Sequence, residues 1–82
     1  TDLADVAAAV RGHDTALVAR EAHKLKGASR MVGAVELSQA AAELEAAGKA
    51  GDWARILPLA ADLDTAAGRL RLHLAERFAP LG

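Results

Sequence analysis

Apolar residues recur along this chain three and four positions apart, which is the spacing of a helix that buries one face. Four such stretches, separated by short polar or glycine-containing breaks, predict helices at residues 2–11, 15–32, 35–47 and 53–78. Short connections force consecutive helices to lie antiparallel. The pattern therefore predicts an all-α fold, an antiparallel up-down four-helix bundle with a short first helix.

The apolar positions of each helix define the expected core. In the first helix these positions are Leu3, Val6, Ala7 and Val10. In the second they are Val18, Ala22, Leu25, Ala28 or Ser29, and Val32. In the third they are Leu37, Ala40 or Ala41, Leu44 and Ala47. The last helix has a seam that steps by four and three through Ile56, Ala60, Leu63, Ala67, Leu70 and Leu74.

Glycine and aspartate mark the breaks between these helices. Gly12 and Gly33 follow the first two helices, where a residue that tolerates positive φ is favoured. Residues 48–51, GKAG, are expected to form the third break. Asp14 and Asp52 are expected N-caps because their carboxylates can accept from free amides of the first turn.

Four residues of the last helix raise separate expectations. Proline removes a backbone donor, so either the helix kinks at Pro58 or a short turn at 53–57 precedes it. Gly68 is expected to allow close packing, because glycine otherwise disfavours a helix interior. Trp53 and Phe78 are expected to cap the ends of the bundle.

Composition supports the helical prediction and limits the classes of function. The 82 residues are expected to form a single domain, residues 1–82, in which alanine makes up roughly a quarter of the chain. The chain has no cysteine, so it has no disulfide framework and no cysteine zinc site. No apolar run is long enough to span a bilayer, so direct membrane contact is not expected. The net charge of -1 argues against nucleic acid as the main partner.

The candidate chemistry lies in the second predicted helix. His23, Lys26, Gly27 and Arg30 are three, four and seven positions apart and therefore share one face. Between residues 20 and 30 four cations accompany one acid, whereas acids dominate from residue 36 to residue 64. A local positive field of this kind attracts an acidic or phosphorylated partner. The strip offers a nucleophilic ring, two cations and an unobstructed position for close approach.

Residues 22–34, AHKLKGASRMVGA, resemble the signature of histidine-containing phosphotransfer (HPt) domains, which reads roughly H-x-L-K-G-x-S/A-x-x-hydrophobic-G. The flanks agree, since RGHD at 11–14 resembles the turn before the histidine helix and residues 37–52 resemble the third helix and its loop. The similarity covers most of residues 2 to about 75. The matching signature positions are His23, Leu25, Lys26, Gly27, Ser29, Val32 and Gly33.

The resemblance implies a phosphorelay intermediate of a two-component system. It implies that His23 accepts a phosphoryl group from a receiver-domain aspartate and passes it to another receiver aspartate. Such domains are carriers without an ATP site, so no bound cofactor is expected and Mg²⁺ belongs to the partner receiver. Many are modules of larger proteins, and we expect this one to be the C-terminal module of a bacterial hybrid sensor histidine kinase. Its expected location is the cytoplasm, and its expected partners are receiver domains.

The chemistry assigns a role to each candidate residue. A neutral ring nitrogen of His23 is the nucleophile, because the ordinary pKa of histidine, about 6.5, leaves the ring mostly neutral at pH 7. Lys26 is expected to neutralise the phosphoryl oxygens. Glu45 is expected to fix the tautomer of the ring from the adjacent antiparallel helix, where the family commonly has Gln or Glu. The expected partner-binding residues are Arg20, Lys24, Gly27 and Arg30.

Other interpretations stay open at this point. The same apolar seams would suit a non-catalytic helical interaction or dimerisation module. A metal site on His13, His23 and His73 is disfavoured because their spacings give no ligand pair one turn apart. Gly27 could instead pack between helices, and Glu45 could be a solvated acid.

Overall fold

A computed structural model describes the backbone of residues 2–78 and the side chains of residues 3–76. It contains four helices: α1 (Asp2–Arg11), α2 (Thr15–Met31), α3 (Val35–Ala50) and α4 (Trp53–Phe78). Each helix contacts the next one along the chain, and α1 also contacts α4, so the four helices close a ring around one core. The predicted all-α four-helix bundle is confirmed.

The turns form at the predicted breaks, with one exception. Asp14 caps α2 by accepting a hydrogen bond from the amide of Leu17 at 3.0 Å, and Gly33 adopts a φ of 72° after α2. The predicted break at residues 48–51 was wrong in its position, because α3 continues to Ala50. Gly51 ends the helix in the left-handed conformation with a φ of 66°.

The core consists mostly of the expected apolar positions. Val6, Val18, Leu44, Ile56 and Leu63 are its largest fully buried side chains. Ser29 is buried and donates its hydroxyl to the carbonyl of Leu25, whereas Ala28 is exposed. Two expected core positions were wrong, since Val32 is 74% exposed and Leu74 is 43% exposed. Val32 follows the end of α2, and Leu74 lies in a part of α4 whose described side chains are all exposed from residue 71 to 76.

The structure tests two expectations about α4, which concern Pro58 and Gly68. The helix runs without interruption from Trp53 through Pro58, so a separate turn at 53–57 is excluded. A Cβ built on Gly68 would meet nothing within 4 Å, so the expected close packing there was wrong. No helix in the described part of the chain is both long and apolar enough to cross a membrane.

Trp53 lies where α3 and α4 meet, half-buried against the core. The ring of His13 packs on it with centroids 4.6 Å apart. The φ of His13 is 51°, so His13 takes the left-handed conformation that was expected of Gly12. The side chain of Phe78, the other expected end cap, lies outside the described residues.

Candidate functional site

A glycine brings α2 and α3 unusually close together. A Cβ on Gly48 would lie 2.9 Å from the backbone nitrogen and 3.1 Å from the Cα of Ala19. These are backbone atoms, so only a shift of the helices could make room for a larger residue. Gly48 is three residues after Glu45, and Ala19 is four residues before His23. The close approach therefore lies one helical turn from both side chains, because the two helices are antiparallel.

At this approach Glu45 bridges the two helices. Its Oε2 lies 3.0 Å from Nδ1 of His23, and its Oε1 accepts a hydrogen bond from Nζ of Lys26 at 2.7 Å. The carboxylate is 9% exposed, whereas the His23 side chain is 65% exposed. The structure thus brings together the three residues that the sequence nominated for the chemistry. One ring nitrogen faces a buried acceptor while most of the ring is open to solvent.

A third donor, Lys49, was missed by the sequence analysis. Its Nζ lies 3.2 Å from Oε2 of Glu45, the oxygen that also faces His23. The spacing of four residues between Glu45 and Lys49 was the available signal, because side chains at i and i+4 are neighbours on a helix. The sequence analysis predicted a break at residues 48–51, so it did not place Lys49 on the same helix as Glu45.

These donors keep Glu45 ionised. The hydrogen bond from Lys26, followed by those from Lys49 and His23, lowers the pKa of Glu45 from 4.5 to about 2, against the opposing effect of burial. At neutral pH the carboxylate is therefore an acceptor only, with no proton to donate. An acceptor facing Nδ1 favours the tautomer that carries its proton there, which leaves Nε2 with a free lone pair.

Gly27 and Arg30 continue the exposed strip of α2 beyond His23. A Cβ on Gly27 would meet nothing within 4 Å, which excludes the alternative that this glycine packs between helices. Arg30 is exposed. Lys26 differs from its neighbours because only 19% of its side chain is exposed and its ammonium group is held on Glu45.

Arg20 and Lys24 contact a different carboxylate. Glu21, which is 5% exposed, lies 3.8 Å from Nε of Arg20 and 3.4 Å from Nζ of Lys24. Helix geometry separates Lys24 from His23 by about 100° around α2, whereas Arg20 is only about 60° away. Both side chains are exposed and lie on the same side of the His23 strip.

The described residues contain no group of three or more His, Cys, Asp or Glu side chains that could hold a metal ion. His13 packs on Trp53, and His73 is exposed on the last turns of α4. Within the described chain, the three histidines therefore do not form the metal site that was weighed as an alternative.

A family model described as Hpt domain matches residues 1–76, which is most of the chain. No curated protein and no solved structure matches the chain.

Proposed function

Because this chain belongs to the Hpt domain family, whose members are histidine phosphotransfer carriers that interact with receiver domains in two-component signalling, we propose that it is a phosphorelay intermediate. It accepts a phosphoryl group on His23 from the aspartyl phosphate of one receiver domain and passes the group to the aspartate of another. The observation that carries this proposal is the exposed His23 ring whose Nδ1 lies 3.0 Å from the buried carboxylate of Glu45.

The proposed covalent step uses the free nitrogen of the ring. The Nε2 lone pair of His23 forms the new bond to phosphorus, and the bond between phosphorus and the aspartyl oxygen breaks with its electron pair leaving on the receiver carboxylate. The Nδ1 proton stays on the ring, which therefore gains positive charge. Glu45, ionised at neutral pH, faces that charge and stabilises it without a proton transfer. The reverse step returns the phosphoryl group to the next aspartate.

The surroundings of His23 fit a docking protein. Gly27, one turn after the histidine, leaves the surface open, and Arg30 adds a cation to the same strip. Attraction between this exposed cation and an acidic receiver pocket is screened by salt, so it guides encounter more than it holds the complex. In this proposal the magnesium ion of the reaction is bound by the receiver.

We also propose which parent protein carries this domain and where transfer takes place. The parent protein is a bacterial hybrid sensor histidine kinase that carries this domain as its C-terminal module, and transfer takes place in the cytoplasm. Its full reading frame tests this directly, because kinase and receiver modules should be encoded upstream. A reading frame without them would contradict the hybrid-kinase context while leaving the phosphorelay proposal intact.

The test of function is transfer from a phosphorylated receiver. Wild-type domain mixed with a cognate receiver bearing labelled phosphate should acquire label that is labile in acid and stable in alkali, and His23→Gln should abolish it. His73→Gln is a matched control, because that histidine is exposed on α4 and lies outside the network. A wild-type domain that takes no label from any receiver of its own genome would favour the non-catalytic interaction module instead.

A further inference from the structure

Two lysines contact Glu45, and they differ in how they are held. Lys26 lies 2.7 Å from Oε1 with 19% of its side chain exposed, whereas Lys49 lies 3.2 Å from Oε2 with 69% exposed. Both bonds are charge-assisted, but the shorter, covered one is the stronger. Most of the Lys49 side chain lies in water, so its ammonium group can exchange the carboxylate for water or for another anion, whereas the ammonium group of Lys26 is largely covered. Lys49 can therefore leave Glu45 at a lower cost than Lys26 can.

Lys49 also lies beside the ring of His23, through the carboxylate that both contact. Its ammonium nitrogen and Nδ1 of His23 both lie within 3.2 Å of the same oxygen of Glu45. The nucleophilic Nε2 belongs to the same five-membered ring, and the lysine side chain is long and flexible. When Lys49 departs, Glu45 still has the hydrogen bond from Lys26 and the contact with His23. The buried carboxylate is therefore not left without partners.

We propose that Lys49 is the mobile phosphoryl-binding cation of this site and that Lys26 is a positioning residue, an inference that rests on the proposed function. Lys49 moves from Oε2 of Glu45 to the phosphoryl oxygens once His23 is phosphorylated. Lys26 remains on Oε1 and holds the carboxylate, and through it the ring. This gives Lys49 the phosphoryl-binding role that the sequence analysis assigned to Lys26.

The first test compares transfer rates. Lys49→Met should accept phosphate from the receiver about five to ten times more slowly than wild type, since it loses one cation at the developing charge. Its thermal unfolding should be nearly unchanged, because the side chain is exposed. Arg55→Gln is the matched control, an exposed cation six residues further along the chain. If Lys49→Met transfers at the rate of wild type, or if Arg55→Gln slows transfer equally, the role of Lys49 is overturned.

The second test observes the lysines directly. In ¹⁵N NMR spectra of the side-chain ammonium groups, phosphorylation of His23 should shift the Lys49 signal strongly and the Lys26 signal weakly. Lys26→Met should instead change the ¹⁵N shifts of the unphosphorylated His23 ring, because the carboxylate that orients the ring is no longer held. A Lys49 signal that stays unchanged, or a larger shift at Lys26, contradicts the division of roles.

The two proposals fail in different ways. If the wild-type domain never takes label, the phosphorelay function is wrong and the role of Lys49 falls with it. If wild type takes label on His23 and Lys49→Met behaves identically, only the role of Lys49 is wrong.

Discussion

The contact between α2 and α3 differs sharply from the last turns of α4, although both were predicted from the same apolar periodicity. At the first, Gly48 lies against the backbone of Ala19, and Glu45 links the two helices through short polar contacts. In the second, every described side chain from residue 71 to 76 is exposed, including Leu72 at 63%.

Apolar periodicity thus defines a helix face but does not determine what covers that face. A face is covered only where a neighbouring helix runs alongside, and approach becomes close only where side chains are small. In this chain the candidate site lies at that close approach, where a buried acceptor can hold an otherwise exposed ring. The two regions should therefore respond very differently to substitution.

Among substitutions at the contact between α2 and α3, the largest effect on stability is expected for Glu45→Gln. The amide keeps one acceptor but loses the charge that faces Lys26. The free energy of unfolding at neutral pH should therefore fall by about 2 kcal/mol, a figure reduced for screening by the solvent at the edge of the site. The pKa of Glu45 is lowered from 4.5 to about 2, so its charge stabilises the fold fully above pH 4.5. That contribution is lost as the pH falls toward 2. Chemical denaturation between pH 7 and pH 2 measures both quantities.

Glu36→Gln is the matched control for that experiment. Glu36 lies on the same helix and pairs with Arg69 at 2.8 Å, but its side chain is 54% exposed. Pairs of this kind are worth about 0–1 kcal/mol. The stability curves of wild type and Glu45→Gln should converge near pH 2, whereas Glu36→Gln should follow wild type closely throughout. Equal losses in the two variants would mean that the buried bridge is no stronger than a surface pair.

The next effect concerns Gly48. Gly48→Ala should lower the free energy of unfolding by about 1–2 kcal/mol, because the added Cβ meets the backbone of Ala19 and this outweighs the better helix propensity of alanine. Gly68→Ala should instead stabilise by up to about 1 kcal/mol, since open space surrounds that position. Thermal unfolding of the two variants measures the contrast. Stabilisation by both substitutions would show that α2 and α3 separate freely at Ala19.

Most of the fold could be predicted from the sequence, because helix faces and caps are local properties. Asp14 and Gly33 took their expected places for that reason. Gly48 and Gly68 show the limit of local information. Either glycine could have been a break, a contact or a tolerated defect, and only the position of the neighbouring helix decides. Leu74 shows the same limit. Its spacing in the sequence predicted a core position, but the described part of the chain leaves its side chain exposed.

The candidate site was predicted only in part. The motif nominated His23 and Lys26, and the antiparallel arrangement nominated Glu45. All three meet in the structure. The sequence could not predict how strongly each lysine is held by a carboxylate, because that depends on the distance between the two groups and on their exposure to solvent. Lys24 turned toward a buried acid, and Lys49 joined the network through the unbroken α3.

The smallest effect is expected at the exposed end of α4. Leu72→Gln removes an apolar side chain that is already 63% exposed, so the free energy of unfolding should change by less than about 0.5 kcal/mol. Leu63→Gln in the same helix is the contrast, because that side chain is 1% exposed and its replacement buries an amide without a partner. Urea unfolding of both variants measures the difference. A loss at Leu72 comparable to that at Leu63 would mean that the last turns of α4 are covered in solution, and the contrast between the two regions would disappear.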